Sequence, residues 1–273
     1  MGTAAPRVLL ALVALAACDR ERVAPAPAAS RTIVYDGSTT ISTRLLPDAL
    51  PLFHARTGIT VKVLRSGTGK GLQAALAGDV GVAGVARTLK PEELARRPYF
   101  QIFGYDALGV FVHRSNPVRN LTHEQLKAIF TGKVTSWREV GGVHEPIVPC
   151  IEHPGSGRAT VEAFRSLAMD GEQYGRSLRQ AEDPDDCLHA VAAVPGGITP
   201  ATMTYSVEGV RVVAVDGLEP LPQHVRSSAY LLTRPLLLVA REPPQGDLRQ
   251  FFDFMLSPDG QDVVTRNGFV PAR

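Results

Sequence analysis

Three short segments rich in hydroxyl groups and glycine carry the chemistry that this sequence suggests. Each one follows a predicted strand and precedes a predicted helix, which brings together backbone N–H groups, hydroxyl donors and the positive end of a helix dipole. A glycine in such a loop also lets the backbone approach a ligand closely. The segments are Ser38, Thr39 and Thr40; Ser66, Gly67 and Thr68; and Gly155, Ser156 and Gly157. Donors of this kind satisfy the many acceptors of a small oxyanion.

Each loop taken alone also has a structural explanation, because serine and threonine are common helix N-caps. The three together favour a ligand, since loops after parallel strands gather at one edge of an open α/β sheet. Nucleotide motifs are missing: Leu64 and Gly71 break a Walker A loop, and no Gly-x-Gly-x-x-Gly follows the first strand. The seven histidines show no pair at metal-ligand spacing, and no serine lies in a nucleophile elbow. The sequence therefore predicts no enzyme, no metal and no cofactor.

The elements that must position these loops alternate along the chain. Strand patterns cover 32–35, 59–64, 80–85, 100–112, 147–151, 210–215 and 236–240. Helical patterns cover 45–58, 72–77, 90–93, 122–132, 161–167, 188–194 and 248–255. Pro47 and Pro51 indicate that the first helix is kinked or starts late. This alternation predicts an α/β fold with largely parallel sheets.

Length and charge narrow the possible functions. The chain has 273 residues, which fits two modest domains better than one, and 44% of them are apolar or aromatic. Lys and Arg number 29 against 27 Asp and Glu, a net charge of +2 that offers no basic surface for nucleic acid. The near balance fits an anion cleft built from neutral donors.

The first residues indicate export. Arg7 precedes the wholly apolar run 8–17, which has the length of a signal-peptide core and is too short for a bilayer, where roughly 20 residues are needed. The run ends in Leu-Ala-Ala before Cys18, which resembles the lipobox of bacterial lipoproteins. We expect a signal peptide at 1–17, a lipid on Cys18 and a Pro/Ala-rich tether at 18–31. An ordinary signal peptide with an incidental cysteine is the alternative.

The remaining cysteines suggest a cross-link. With Cys18 assigned to the lipid, Cys150 and Cys187 form an even pair in an oxidising compartment. A disulfide between them would stabilise the fold by roughly 3–4 kcal/mol on the chain-entropy model. Two separate buried thiols are the alternative.

A collinear series of segments resembles one protein family. The most specific segment runs from Ser115 to Lys133, with Trp137 at the expected distance after it. The others are 37–40, 57–58, 66–69, 87–93, 106–110, 195–198, 234–236 and 257–261. In this order they resemble the periplasmic phosphate-binding proteins of phosphate ABC transporters over about 32–271, nearly the whole mature chain.

The resemblance implies the type II periplasmic-binding-protein fold, with two lobes that close over an anion in the cleft between them. Each lobe is expected to be a mainly parallel sheet flanked by helices. Lobe 1 would comprise 32–108 and 228–273, and lobe 2 would comprise 109–227, with crossover strands near 106–112 and 228–239. The implied ligand set is Ser38, Thr39, Thr40, Thr68, Ser156, Gly157 and Arg158. Arg87, Ser66 and Gly67 are further candidates for a ligand or lobe contact.

Three positions depart from the family pattern. Glu152 stands where the family usually has an arginine, Arg158 stands where it usually has a threonine, and Ala86 stands where Ser or Asp is frequent. A buried oxyanion favours a charge-assisted partner, which Arg158 would supply unless it is a solvated residue at a helix start. Arg87 has the alternative role of an ion pair at the surface or between the lobes.

These observations predict a monomeric, lipid-anchored protein of the periplasm or cell surface. It would capture phosphate or a related oxyanion by hinge closure and deliver it to an ABC permease in the inner membrane. The first alternative is a non-transport anion sensor or surface interaction protein on the same fold, which Glu152 and Ala86 suggest. An enzyme on this fold is a weaker alternative, because the sequence lacks a nucleophile and a metal set.

Overall fold

The computed structural model of the chain describes residues 1–2 and 31–272. Residues from Arg31 onward form one compact unit. The predicted signal peptide and tether, with Cys18 as the predicted site of the lipid, lie outside the described residues apart from Met1, Gly2 and Arg31. Among the described residues, no helix is both long enough and apolar enough to cross a membrane.

Strands and helices alternate through most of the described chain. The strands are β1 (Thr32–Gly37), β2 (Thr60–Val63), β3 (Val82–Val85), β4 (Tyr99–His113), β5 (Asn120–Leu121), β6 (Val148–Glu152), β7 (Arg179–Ala181), β8 (Gly197–Thr202), β9 (Val210–Val215), β10 (Thr233–Ala240) and β11 (Val270–Pro271). The helices are α1 (Thr39–Arg44), α2 (Leu46–Thr57), α3 (Thr68–Ala77), α4 (Pro91–Leu94), α5 (His123–Thr131), α6 (Ala159–Ala168), α7 (Pro184–Ala193), α8 (Pro222–Arg226), α9 (Gly246–Leu256) and α10 (Pro258–Arg266). A short 3-10 turn covers Trp137–Val140.

Most of the described strands follow one path, in the order β2-β1-β3-β10-β4-β8-β6-β7. The other three lie off this path: β9 and β11 pair with β4, and β5 pairs with β9. Among the described strands, every antiparallel pairing involves β4 or β10, and the remaining pairs are parallel. The first part of β4 pairs with β10, and its second part, from Leu108 onward, pairs with β8 and β9. A single long strand therefore passes from one half of the sheet to the other.

Local signals explain where several helices begin and end. Thr122 caps α5, because its hydroxyl accepts from the Gln125 N–H at 3.1 Å while the Gln125 side chain accepts from the Thr122 N–H at 2.9 Å. The helix stops at Gly132, which adopts a left-handed conformation. Pro47 lies in the first turn of α2, where a missing N–H costs nothing, and Pro51 lies inside the same helix.

Two hydrophobic clusters account for most of the core. One is centred on Phe53, whose ring centroid lies 5.3 Å from that of Phe251 and 5.4 Å from that of Phe254. The other contains Phe130 and Phe164 at 4.7 Å. The first draws mainly on residues of the predicted lobe 1 and the second mainly on those of the predicted lobe 2. The lobe boundaries themselves stay a prediction, since some residues cross them: Tyr230, Leu232 and Val270 pack in the second cluster and Ala159 packs in the first.

Candidate anion-binding site

The first predicted loop is attached directly to the second. Asp36, at the end of β1, accepts hydrogen bonds from the N–H groups of Gly37 at 2.7 Å and Ser66 at 2.9 Å. The N–H of Gly67 donates to the carbonyl of Gly37 at 3.1 Å. Gly37 has a φ of 136°, and a Cβ there would collide with the backbone of Gly84. The close approach of the strands thus requires glycine and brings both loops to one edge of the sheet.

Ser38, Thr39 and Thr40 form the start of α1. The hydroxyl of Ser38 accepts from the N–H of Ile41 at 3.4 Å and caps the helix. The first N–H groups of a helix have no partner within it, so the N–H groups of Thr39 and Thr40 are directed out of the helix end. Ser38 and Thr40 are both buried. Ser38 therefore caps the helix, and the N–H groups of Thr39 and Thr40 are still available to a ligand at the same helix end.

Thr68 is the strongest ligand candidate among the predicted residues. It is the first residue of α3 and is 0% exposed, yet its hydroxyl oxygen has no hydrogen-bond partner among the described residues. The preceding Gly67 offers the helix no side-chain cap. A buried hydroxyl without a partner is costly, so it indicates a place where a ligand supplies the missing hydrogen bond.

The third loop faces the second. A Cβ built on Gly67 or Gly69 would lie 3.9 or 3.8 Å from the carbonyl oxygen of Gly157, which is ordinary van der Waals distance. Ser156 is exposed, and its hydroxyl accepts from the Arg158 N–H at 3.3 Å just before α6 begins. The structure therefore brings all three predicted loops together, because the second loop lies beside each of the other two.

Arg158 is engaged by acids. Its Nη1 lies 3.2 Å from Oε1 of Glu152 and its Nη2 lies 3.1 Å from Oδ1 of Asp183. Glu152 is buried, and its second oxygen, Oε2, has no hydrogen-bond partner among the described residues. Burial raises the pKa of Glu152 to about 7, against the opposing effect of the Arg158 and Arg234 charges. Arg158 is thus paired with two acids and partly buried, and its role toward a ligand stays a prediction.

Arg234 and Asp106 form a buried pair that the sequence reasoning missed. The Nε and Nη2 atoms of Arg234 donate to Oδ2 of Asp106 at 2.9 and 2.7 Å, and both side chains are 1% exposed. Thr202 of β8 donates to the other Asp106 oxygen at 2.6 Å, and Arg234 also donates to Thr160 at the start of α6. The pair joins β4 and β10 beside the third loop. Charged residues inside apolar strand patterns were the available signal.

Arg87 also lies between carboxylates. Its Nη atoms donate to Glu93 at 2.8 and 2.7 Å, and its Nε donates to Glu162 of α6 at 2.6 Å. Lys90 reaches the other oxygen of Glu162 at 2.9 Å. Of the two roles considered for Arg87, the structure supports the ion pair, since every guanidinium nitrogen has an acceptor on this chain.

Cys150 and Cys187 are joined by a disulfide, with their Cα atoms 5.5 Å apart. Cys150 lies in β6 and Cys187 lies in α7. Because β6 ends at Glu152, the bond ties the strand that leads into the third loop to the helix beside it.

Comparisons with known proteins identify relatives and solved structures that this chain resembles. Protein SphX of Synechococcus elongatus is 27% identical over 97% of this chain and 84% of the relative. Phosphate-binding protein PstS of Bacillus subtilis is 24% identical over 89% of this chain and 81% of the relative. A putative phosphate ABC transporter substrate-binding protein from Clostridium perfringens, solved with bound phosphate, is 27% identical and superposes with a TM-score of 0.80 over 89% of this chain and 100% of its own.

The structural similarity confirms the predicted two-lobed α/β fold. A structure of an ABC-type phosphate transport receptor from Vibrio cholerae, 21% identical, superposes with a TM-score of 0.78 and shares this fold. The family model of the PBP superfamily domain matches residues 23–259, which is most of the sequence. The chain therefore belongs to the PBP superfamily.

Proposed function

We propose that the protein is an extracytoplasmic solute-binding protein that captures phosphate or a related oxyanion for an ABC transporter. The observation that carries the proposal is the unpartnered, buried Thr68 hydroxyl at the point where three donor-rich loops meet. The named functions of the relatives support phosphate as the first ligand to test. The proposal assigns the protein a binding role without catalysis.

The proposed ligand groups are hydroxyls and backbone N–H groups at helix starts. Such donors satisfy an oxyanion in a low-dielectric cleft without a full positive charge for each negative one. The set is the one that the family resemblance implies: Ser38, Thr39, Thr40, Thr68, Ser156, Gly157 and Arg158. Ser66 and Gly67 contribute mainly by holding the second loop against the first.

Closure of the proposed lobes brings the loops together. Side chains of the two proposed lobes contact each other in this structure. Arg87 and Lys90 of lobe 1 donate to Glu162 of lobe 2, and Arg44 of lobe 1 contacts two residues of lobe 2. The Arg44 guanidinium lies 4.1 Å from the ring centroid of Tyr205 and 3.9 Å from Asp185. We infer that this arrangement is the closed form and that β4 and β10 carry the hinge.

The location and partners follow from the same proposal. A lipid on Cys18 would hold the monomeric protein at the membrane surface, near an ABC permease of the inner membrane. A non-transport anion sensor is the second candidate, because the buried Glu152 occupies a position where the family usually has arginine. A deletion strain separates the two: transport predicts reduced phosphate uptake, whereas sensing predicts unchanged uptake.

Calorimetry of the purified protein with phosphate, sulfate, molybdate and phosphonates tests the ligand class. Phosphate is expected to give the strongest binding. The absence of heat with all of these oxyanions at high micromolar concentration would contradict the proposal.

Arg158→Ala tests the arginine in the proposed ligand set, with the exposed Arg176→Ala as its matched control. Loss of a charge-assisted hydrogen bond should cost roughly 1.5–3 kcal/mol of phosphate binding. Phosphate binding should be measured at about pH 5, because Glu152 is protonated there in wild type and in Arg158→Ala. Phosphate affinity within about twofold of wild type would remove Arg158 from the set.

A further inference from the structure

Glu152 is a buried carboxyl group beside the proposed anion site. It is the last residue of β6, directly before the loop that contains Ser156 and Gly157, and only 4% of it is exposed. Its Oε1 lies 3.2 Å from Arg158, whereas its buried Oε2 has no hydrogen-bond partner among the described residues. An ionised carboxylate with an unpartnered buried oxygen is costly. Oε2 is therefore a place for a proton or for a group that supplies one.

While Glu152 is ionised, every cation around it is paired with a carboxylate and none is free for an incoming anion. Arg158 is shared with Asp183 at 3.1 Å, and Arg234 is bound to Asp106 at 2.7 Å. With Glu152 ionised, three carboxylates face two guanidinium groups. An oxyanion would add negative charge beside a carboxylate in a low-dielectric interior, which favours protonation of that carboxylate.

We infer that Glu152 is a ligand residue of the anion site. The Glu152 carboxyl group is protonated when it binds the anion, so that each anion is captured together with one proton. This inference rests on the proposed function. The proton comes from solvent and stays on the carboxyl group, which then donates an O–H···O hydrogen bond to the anion. A carboxylic acid thereby supplies a donor where the family usually has arginine, and affinity becomes dependent on pH.

Groups from several elements set the pH at which Glu152 titrates. The charged and titratable groups that interact with it are Arg158, Tyr174, Asp183, Tyr205 and Arg234. Burial raises the pKa of Glu152 to about 7; the two arginines oppose this rise and Asp183 adds to it. Burial also raises the pKa of both tyrosines, so they stay neutral near pH 7. Anion affinity should therefore fall as the pH rises above about 7.

Calorimetry with inorganic phosphate at about pH 8, in two buffers with different heats of ionisation, counts the protons taken up on binding. Phosphate itself titrates in this range and contributes equally to both proteins, so the proton count of Glu152→Gln is the reference. Wild-type protein is expected to take up close to one proton more for each phosphate bound than Glu152→Gln, because the amide donates without titrating. Glu152→Gln should also bind about tenfold more tightly than wild type at about pH 8, where a carboxyl group with a pKa of about 7 is roughly one-tenth protonated.

Glu172→Gln is the matched control, because Glu172 is exposed and pairs with Lys133 at 2.9 Å. It should behave as wild type. Phosphate binding with the same proton count in wild type and Glu152→Gln would show that Glu152 takes up no proton. That result would overturn the inference and leave the proposed function standing. No binding of phosphate by either protein would remove the proposed function and this inference with it.

Discussion

Arg87 and Glu162 form an ion pair, with 2.6 Å between Nε and Oε2, that connects the segment after β3 to helix α6. The Nη1 and Nη2 atoms of the same buried guanidinium donate to the two carboxylate oxygens of Glu93. Arg87 belongs to the proposed lobe 1 and Glu162 to the proposed lobe 2. Closure would thus form this contact and opening would break it, which gives the closed form an electrostatic contribution outside the ligand site.

Glu162→Gln should weaken phosphate binding about three- to tenfold without unfolding the protein. The variant removes the charge that Arg87 and Lys90 share across the lobes, which is worth about 1 kcal/mol for a partly exposed pair. Most of the effect should be faster release, since interface changes act mainly on dissociation. Stopped-flow measurement of phosphate release tests this, with the exposed Glu124→Gln as control. An unchanged release rate would show that the pair does not favour closure.

Thr68→Val should affect binding and stability in opposite directions. The variant keeps the shape of the side chain and removes a buried hydroxyl that has no partner on this chain. We expect phosphate affinity to fall at least tenfold, because a hydrogen bond to a charged group contributes roughly 1.5–3 kcal/mol. The free energy of unfolding without phosphate should be unchanged or higher. Calorimetry and chemical denaturation measure the two quantities.

Thr265→Val is the control for that experiment, since the Thr265 hydroxyl donates to Gln261 within α10, away from the three loops. It should leave phosphate affinity unchanged. Equal affinities of Thr68→Val and wild type would exclude the Thr68 hydroxyl as a ligand.

Glu152→Gln should become more stable relative to wild type as the pH rises from about 4.5 to about 7. In this window the folded wild-type protein keeps a proton on Glu152 that the unfolded chain has released, because burial raises the pKa of the folded state to about 7. Wild type therefore loses up to about 3 kcal/mol that the glutamine variant retains. Urea denaturation of both proteins across this range measures the difference. A constant difference would contradict the burial of a titrating carboxyl group.

Reduction of the Cys150–Cys187 disulfide should lower the free energy of unfolding by roughly 3–4 kcal/mol and Tm by roughly 10 °C. The reason is that the bond restricts the unfolded chain across a separation of 37 residues. Thermal unfolding with and without reductant measures the change. The double variant Cys150→Ser and Cys187→Ser should have the lower Tm in both conditions. A Tm of the wild-type protein that does not respond to complete reduction would contradict the prediction.

Elements with local signals could be predicted from the sequence. The cap and the end of α5 depend on Thr122, Gln125 and Gly132, all within one short segment, so the pattern alone indicates the helix. β8 could not be found in this way, because Pro200 and the glycine at its start are typical of loops. The segment becomes a strand because it pairs with β4 on one side and β6 on the other, and every residue in it is buried.

The sequence by itself determined the alternation of strands and helices, the three donor-rich loops and the pair of cysteines, because each depends on residue types at short spacing. Only the tertiary structure decided which charges meet. Arg234 and Asp106 are 128 residues apart in the chain, and Arg87 and Glu162 are 75 apart. Ion pairing depends on distance and burial in space, which sequence spacing does not encode at such separations. For that reason only the fold showed the Arg234–Asp106 pair and the partners of Glu152 and Arg87, while the sequence already showed the loops.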